Sequence, residues 1–312
     1  MSKLTYTIIG TGALGGFYGA RLQKAGNEVH FLLNNDYTHV TQYGLTITSI
    51  DGDFSLPHLN AYNDVTKMPK TDVVILALKT TNNHLLPKIL PPVLKENSVV
   101  LVFQNGISIE ENIAAIIGPH RIIGGVCFLC SNKPSPGQIH HVDYKKIILG
   151  EYTSDYQPVG ITDRMQQIAN DFENADIPIE LAEDLLFARW KKLVWNIPYN
   201  GLSVILNAST NEIMQNTNSR KLVENIMHEV LAGAKSSNRI IPDDFISYML
   251  DYTDKMKPYR TSMKIDYDEG RPLEIEAIFG NSLNKAKSMG VHLPIIESLY
   301  QQLKFLDAKN RL

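Results

Sequence analysis

Cysteine is scarce in this sequence of 312 residues. The two cysteines, Cys127 and Cys130, both lie in the apolar run VCFLC. A fold held by disulfides or zinc is excluded, because no second cysteine pair or suitably spaced histidine completes a ligand set. Residues three apart in a strand point to opposite faces, which also disfavours a redox pair. We therefore predict a buried strand here, and no metal site.

Long apolar runs and an excess of one charge are also missing. No segment approaches the roughly 18 apolar residues of a transmembrane helix, and the start MSKLTYTIIG is too polar for a signal peptide. The net charge is -3, and no long basic run could follow a phosphate backbone. These absences predict a cytoplasmic protein that binds neither membranes nor nucleic acid. The length is sufficient for two domains.

Short apolar runs alternate with helical patterns through the first half of the chain. The runs are YTIIG, EVHFLL, DVVILAL and SVVLVF. This alternation predicts a parallel sheet with crossover helices. Turns and short strands are expected over residues 132–153, then a helix near 161–175 and a strand at IPIELA.

From about residue 184 onward the sequence shows only helical patterns. We therefore predict an α/β protein with an N-terminal Rossmann-type dinucleotide-binding domain over residues 1–183. A C-terminal all-helical domain is predicted over residues 184–312. Open α/β sheets bind ligands beyond the carboxyl ends of their strands. Lys79 follows one predicted strand, and Gln104, Asn105 and Gly106 follow another.

A glycine motif, IIGTGALGG, joins the first strand to the first helix. Gly10 permits a tight turn, Gly12 lets the backbone approach a pyrophosphate, and Gly15 allows the helix to pack closely on the strand. The helix N-terminus favours the phosphate charge. The predicted dinucleotide-binding loop therefore comprises Gly10, Thr11, Gly12, Ala13, Leu14 and Gly15.

The second strand ends in FLLNNDY, where the dinucleotide fingerprint expects an acid for the ribose 2′-hydroxyl. Asn34 stands there instead, and it brings no charge for or against a 2′-phosphate. Asp36 is expected to cap the next helix. The residues alone therefore leave NAD and NADP both open.

The segment WKKLVWNIPYNGLSVI places Lys192, Asn196 and Asn200 every four residues, on one stripe of a helix. An ammonium there could stabilise an alkoxide and donate its proton. Alternatively, Lys192 reaches solvent and the asparagines cap a kink, since Pro198 cannot donate to the carbonyl of Val194. The residues alone leave both interpretations open.

The chain resembles the ketopantoate reductase (2-dehydropantoate 2-reductase) family. The ordered motifs are GTGALGG, LALKT, FQNG, WKKLVWNIPYNGL and TSMKIDYDEGRPLEIEAIFG, from residue 10 to about residue 280. The resemblance implies an oxidoreductase that passes hydride from NADPH to the ketone of a small 2-keto acid. Its usual substrate is ketopantoate, which becomes pantoate in pantothenate synthesis.

The same resemblance implies roles for individual residues. Lys192 matches the catalytic lysine. The implied substrate-binding residues are Lys79, Asn105, Asn196, Asn200, Ser262 and Glu274. Lys79 and Asn105 also match positions near the nicotinamide. Glu274 is preferred to Glu276 by alignment, and a helix that starts at Pro272 would point the two glutamates in different directions.

Two other functions stay open. One is a NAD-dependent D-2-hydroxyacid dehydrogenase of the same family, acting on branched or aromatic 2-keto acids. The other is a dinucleotide-binding sensor without turnover. The expected partner is a small-molecule 2-keto acid, and a homodimer is left open.

Overall fold

The computed structural model describes residues 3–311. The chain divides into two compact units: unit 1 comprises Met1–Gln104 and Ile109–Leu185, and unit 2 comprises Asn105–Ser108 and Leu186–Leu312. The expected boundary near residue 183, between an α/β domain and a helical domain, stays a prediction. The assignment of Asn105–Ser108 to unit 2 was not anticipated from the sequence.

Unit 1 is built on a sheet of ten strands among the described residues. The strands are β1 (Thr5–Ile9), β2 (Glu28–Leu32), β3 (Leu45–Ser49), β4 (Phe54–Leu56), β5 (Asn60–Tyr62), β6 (Thr71–Leu76), β7 (Leu94–Val102), β8 (Ile122–Ser135), β9 (Gln138–Glu151) and β10 (Ile179–Ala182). Their order is β4-β3-β9-β8-β7-β6-β1-β2-β5, and β10 pairs with β9. Only the β3–β4 and β8–β9 pairs of this sheet are antiparallel.

Five helices accompany this sheet in the described part of unit 1. They are α1 (Ala13–Lys24), α2 (Tyr37–Tyr43), α3 (Leu86–Ile89), α4 (Glu110–Ile117) and α5 (Asp163–Asn174). Short 3₁₀ segments lie at Val65–Lys67, Thr80–Leu85, Pro91–Val93 and Pro119–Arg121. The parallel order β5-β2-β1-β6-β7-β8 confirms the predicted Rossmann-type arrangement.

The central strands are apolar because both of their faces are covered. Val74, Ile75 and Leu76 of β6 are fully buried, as expected for a strand between helical layers. Aromatic rings fill much of this core, with Tyr18 and Phe103 in edge contact at a centroid distance of 5.6 Å. Such contacts favour one packing arrangement beyond the burial of area alone. The core therefore fixes the strands whose ends carry the predicted ligand-binding residues.

The prediction of turns and short strands over residues 132–153 is wrong. β8 and β9 each contain 14 residues and form one long antiparallel hairpin that turns at Pro136 and Gly137. Pro134 is tolerated in β8 because the ladder is irregular between Asn132 and Ser135, so a missing N–H breaks no regular pairing. The proline and glycine residues marked one turn, and not a series of loops.

Cys127 and Cys130 lie in β8 and are buried, which confirms the predicted buried strand. Within residues 3–311, no group of three or more His, Cys, Asp or Glu side chains is arranged to hold a metal ion. The helices in this same range include none that is long and apolar enough to span a membrane.

Unit 2 is helical throughout the regular part that the structure describes. Its helices are α6 (Leu185–Ile205), α7 (Thr210–Gln215), α8 (Thr217–Ser236), α9 (Asp244–Lys255), α10 (Ser262–Asp268), α11 (Asn281–Ser288) and α12 (Pro294–Asn310), with a π-helical turn at Glu276–Gly280. This confirms the all-helical prediction for the C-terminal part of the chain.

Helix α8 shows why this part of the sequence folds as it does. Its buried residues recur at helical spacing and include Val223, Ile226, Met227, Val230 and Ala234. The Asn216 side chain accepts hydrogen bonds from the backbone N–H groups of Asn218 and Ser219, at 3.0 and 3.2 Å. A capped N-terminus and one apolar face thus define the helix.

The predicted helix start at Pro272 is wrong. Residues 271–274 have no regular structure, and the π-helical turn begins at Glu276. The backbone N–H of Leu273 donates to the Asp307 carboxylate at 3.1 Å, and Arg271 bonds to Asp266 at 2.9 Å. These contacts satisfy the segment without a helical turn, so Glu274 does not lie in the first turn of a helix.

Candidate functional site

The predicted dinucleotide-binding loop, residues 10–15, is called the phosphate loop below. Packing requires glycine at two of its positions, and a third glycine borders open space. Gly10 has φ +96°, and a Cβ added there would lie 2.5 Å from the backbone nitrogen of Leu78. A Cβ on Gly15 would lie 2.3 Å from the carbonyl oxygen of Gly10. A Cβ on Gly12 would meet nothing within 4 Å. Gly12 also offers no side chain to cap α1, so the first amides of this helix are left without a side-chain cap, which suits a pyrophosphate.

The loop after β2 exposes neutral side chains, whereas its carboxylate is buried. Asn34 and Asn35 are exposed, whereas Asp36 is buried. Asp36 is the N-cap residue of α2, as predicted, but its side chain makes no capping bond to this helix. It forms an ion pair with Lys133 instead. The carboxylate is therefore oriented by a cation on β8 and not by the helix it precedes.

The segments that follow β6 and β7 are joined by hydrogen bonds from a side-chain amide. The Gln104 side-chain nitrogen donates to the carbonyl oxygen of Leu78 at 2.9 Å and to Asn83 Oδ1 at 2.6 Å. Lys79, at the start of the 3₁₀ segment, is half-buried. Gln104 thus contacts the backbone before Lys79 and a side chain after it. Sequence reasoning placed Gln104 at a strand end but gave it no such role.

The stripe on α6 includes a direct contact with another predicted residue. Lys192 Nζ donates to Asn105 Oδ1 at 2.7 Å. Lys192 is half-buried, and this bond holds its ammonium at Asn105. Asn196 and Asn200 are buried at 7% and 4% exposure. The stripe therefore carries one cation and two amides.

Asn200 supplies an acceptor that the described residues leave unused. Its Oδ1 atom is buried and has no hydrogen-bond partner within residues 3–311. A buried polar atom without a partner costs about 1–3 kcal/mol, so such atoms often mark a place for a ligand or a water molecule. Asn200 is therefore suited to accept a hydrogen bond from a bound molecule.

Asn105 is held by the segment it begins. The backbone N–H of Ile107 donates to the carbonyl oxygen of Ala277 at 3.0 Å, and Asn281 donates to the carbonyl oxygen of Ile107 at 2.8 Å. Gly106 has φ +108°, and a Cβ there would lie 2.2 Å from the Ala277 oxygen. The motif FQNG thus needs its glycine because the backbone of the π-helical turn approaches so closely.

Ser262 and Glu274 occupy different environments within unit 2. Ser262 is exposed and begins α10, whose preceding residue Thr261 bonds to Ser203 of α6 at 2.8 Å. Glu274 is buried at 6% exposure. Glu276 is exposed and pairs with Lys304 at 2.7 Å. Of the two competing glutamates, Glu274 is thus the one removed from solvent.

The contacts made by Lys133 and Ser203 were missed by sequence reasoning. Lys133 lies 97 residues from Asp36 in the chain, and Ser203 lies 58 residues from Thr261. Neither pair belongs to a local motif, so spacing gave no signal for it. Only the tertiary fold brings these side chains together.

Known proteins match the whole chain. The family described as "Ketopantoate reductase PanE/ApbA" matches residues 6–154, and "Ketopantoate reductase PanE/ApbA C terminal" matches residues 184–307. A 2-dehydropantoate 2-reductase from Nostoc sp. is 66% identical over 311 residues, which cover 100% of this chain and 98% of that protein.

Solved structures also match this chain over nearly its whole length. The 2-dehydropantoate 2-reductase from Geobacter metallireducens has a TM-score of 0.93 at 42% identity, with 98% of this chain and 99% of that chain covered. D-mandelate dehydrogenase, solved with NADH and anilino(oxo)acetate, shares the fold with a TM-score of 0.90 at 20% identity, with 99% and 100% covered. As its motifs predicted, the chain belongs to the ketopantoate reductase family.

Proposed function

We propose that this protein is an NADPH-dependent 2-dehydropantoate 2-reductase, which reduces the ketone of ketopantoate to pantoate in pantothenate biosynthesis. The name of the Nostoc relative at 66% identity supports the reaction. The observation that carries the proposal is the 2.7 Å bond between Lys192 and Asn105. The cytoplasmic location expected from the sequence belongs to the same proposal.

The chemistry requires charge stabilisation and a proton at the ketone oxygen. A bound nicotinamide supplies the hydride. As the ketone oxygen gains negative charge, the ammonium of Lys192 stabilises it and donates the proton that completes the alcohol. Asn105 accepts one N–H of this ammonium and thereby fixes the direction in which the group points.

Neutral and acidic groups of unit 2 would orient the rest of the substrate. The buried Oδ1 of Asn200 can accept a bond from the substrate hydroxyl, as can the carboxylate of Glu274. Asn196 can donate and accept without adding charge. Ketopantoate has such a hydroxyl and 2-ketoisovalerate does not, so these acceptors favour ketopantoate.

The cofactor part of the proposal rests on unit 1. The open space at Gly12 and the first amides of α1 suit a pyrophosphate. No free carboxylate stands at the end of β2 to repel a 2′-phosphate, because Asn34 is neutral and Asp36 is paired. NADPH is therefore accepted, and the lack of an arginine at residue 34 makes discrimination against NADH modest.

Purified protein assayed with ketopantoate, 2-ketoisovalerate and phenylpyruvate, each with NADPH and NADH, tests the proposal. We expect the highest kcat/KM with ketopantoate and NADPH. A higher kcat/KM for an aromatic or branched 2-keto acid with NADH would instead indicate a D-2-hydroxyacid dehydrogenase. Binding of dinucleotide without turnover of any keto acid would indicate a sensor.

Replacing Glu274 by glutamine tests its role at the substrate hydroxyl. The charge-assisted bond becomes a neutral one, so KM for ketopantoate should rise about tenfold while KM for 2-ketoisovalerate changes little. Steady-state kinetics with both substrates measure this. Glu276→Gln is the matched control, because Glu276 is exposed and pairs with Lys304. An equal rise for both substrates would contradict a contact with the hydroxyl.

A further inference from the structure

A largely buried ion pair lies beside the phosphate loop. The side chains of Lys133 and Asp36 are 23% and 9% exposed. Lys133 Nζ also donates to the carbonyl oxygen of Thr11 at 3.1 Å, and the Thr11 hydroxyl donates to the carbonyl oxygen of Leu32 at 2.9 Å. One ammonium thus joins the phosphate loop, the loop after β2 and strand β8.

This position matters for the adenosine end of a dinucleotide. The fingerprint places the ribose at the end of the second strand, where a carboxylate would accept a bond from a 2′-hydroxyl and repel a 2′-phosphate. Asp36 is the carboxylate of this loop, and it is buried against Lys133, whereas Asn34 and Asn35 are exposed. Lys133 therefore keeps the acid away from the ribose and cancels its charge.

We propose that Lys133 is a positioning residue that sets cofactor selectivity. By pairing with Asp36 it removes the negative charge that would exclude a 2′-phosphate, which allows NADPH to bind beside the neutral Asn34. The proposal rests on the proposed use of NADPH but concerns only the adenosine end of the cofactor. It assigns the selectivity to a residue that lies 122 positions along the chain from Thr11 of the dinucleotide motif.

Dissociation constants for NADPH and NADH, measured by titration calorimetry without substrate, test this role. Lys133→Met keeps most of the side-chain length and releases the charge of Asp36. The Kd for NADPH should therefore rise about tenfold more than the Kd for NADH, since a free carboxylate acts on the doubly charged phosphate. Adding Asp36→Asn to this variant should return the ratio of the two Kd values to within about twofold of wild type.

Lys145→Met is the matched control. Lys145 lies on β9 of the same hairpin and pairs with Asp51 and Asp176 at 2.8 and 2.6 Å. Its replacement therefore also removes one positive charge, but at a site outside the phosphate loop. The ratio of Kd values should not change. If Lys133→Met does not fold, Asp36→Asn alone should lower the Kd for NADPH relative to NADH, because the charge of Lys133 is then uncompensated.

Three outcomes would overturn the proposal. These are an unchanged ratio in Lys133→Met with unchanged affinities, an unchanged ratio with an equal loss of affinity for both cofactors, and a double variant whose ratio stays shifted, which would mean that Lys133 contacts the cofactor itself. An activity assay of the wild-type protein distinguishes failure of the proposed function from failure of this inference. Wild-type protein that binds both dinucleotides but reduces ketopantoate with neither would remove the reductase function and leave the binding ratio as a valid test.

Discussion

Alanine in place of Lys192 should lower kcat for ketopantoate by at least about 100-fold. The variant loses both the proton donor and the cation that stabilises the developing alkoxide. Dinucleotide affinity should change little, because the phosphate loop belongs to unit 1 and Lys192 to unit 2. Single-turnover kinetics at saturating cofactor, together with dinucleotide titration, would measure the two effects separately.

Lys191→Ala provides the control for this variant. Lys191 is the preceding residue of the same helix, and its ammonium lies 5.0 Å from the ring centroid of Phe245. The substitution removes the same charge from α6 without touching the bond to Asn105, so kcat should stay near the wild-type value. Near-normal turnover in Lys192→Ala would rule out its role as the proton donor.

The parts of the fold that could be predicted are those encoded locally. The apolar runs of β6 and β7 indicated buried parallel strands, because central strands of such a sheet are covered on both faces. The hairpin of β8 and β9 was missed because its prolines suggest loops when the ladder irregularity around Pro134 is unknown. The missing helix at Pro272 depends on Asp307, which lies 34 residues from its partner Leu273. A contact between distant residues decided this second error.

In the candidate site, too, only the features encoded locally could be predicted. Helical spacing alone placed Lys192, Asn196 and Asn200 on one stripe, but it could not choose between a catalytic and a structural role. The bond from Lys192 to Asn105 joins residues 87 apart, so helical spacing gave no signal for it. The individual substrate contacts of Ser262 and Glu274 stay predictions from the family resemblance.

Two glycines of the phosphate loop should respond to substitution in opposite ways. Gly10→Ala places a Cβ 2.5 Å from the nitrogen of Leu78 at a φ of +96°, so it should destabilise the fold by about 2–4 kcal/mol. Gly12 has φ -84° and ψ -159°, a conformation that any residue can adopt, and a Cβ there meets no neighbour within 4 Å. Gly12→Val should therefore keep a melting temperature close to that of wild type.

Dinucleotide binding should nevertheless be lost in Gly12→Val. The added side chain occupies the open space in front of the first amides of α1, where the pyrophosphate is expected, so the Kd for both NADPH and NADH should rise about 100-fold. Thermal unfolding and dinucleotide titration of both variants separate a folding defect from a binding defect. A Gly12→Val protein that binds NADPH as tightly as wild type would place the pyrophosphate elsewhere. Lost affinity at unchanged stability in Gly12→Val would assign Gly12 to ligand binding, and lost stability in Gly10→Ala would assign Gly10 to the fold. One motif would then serve both through different contacts.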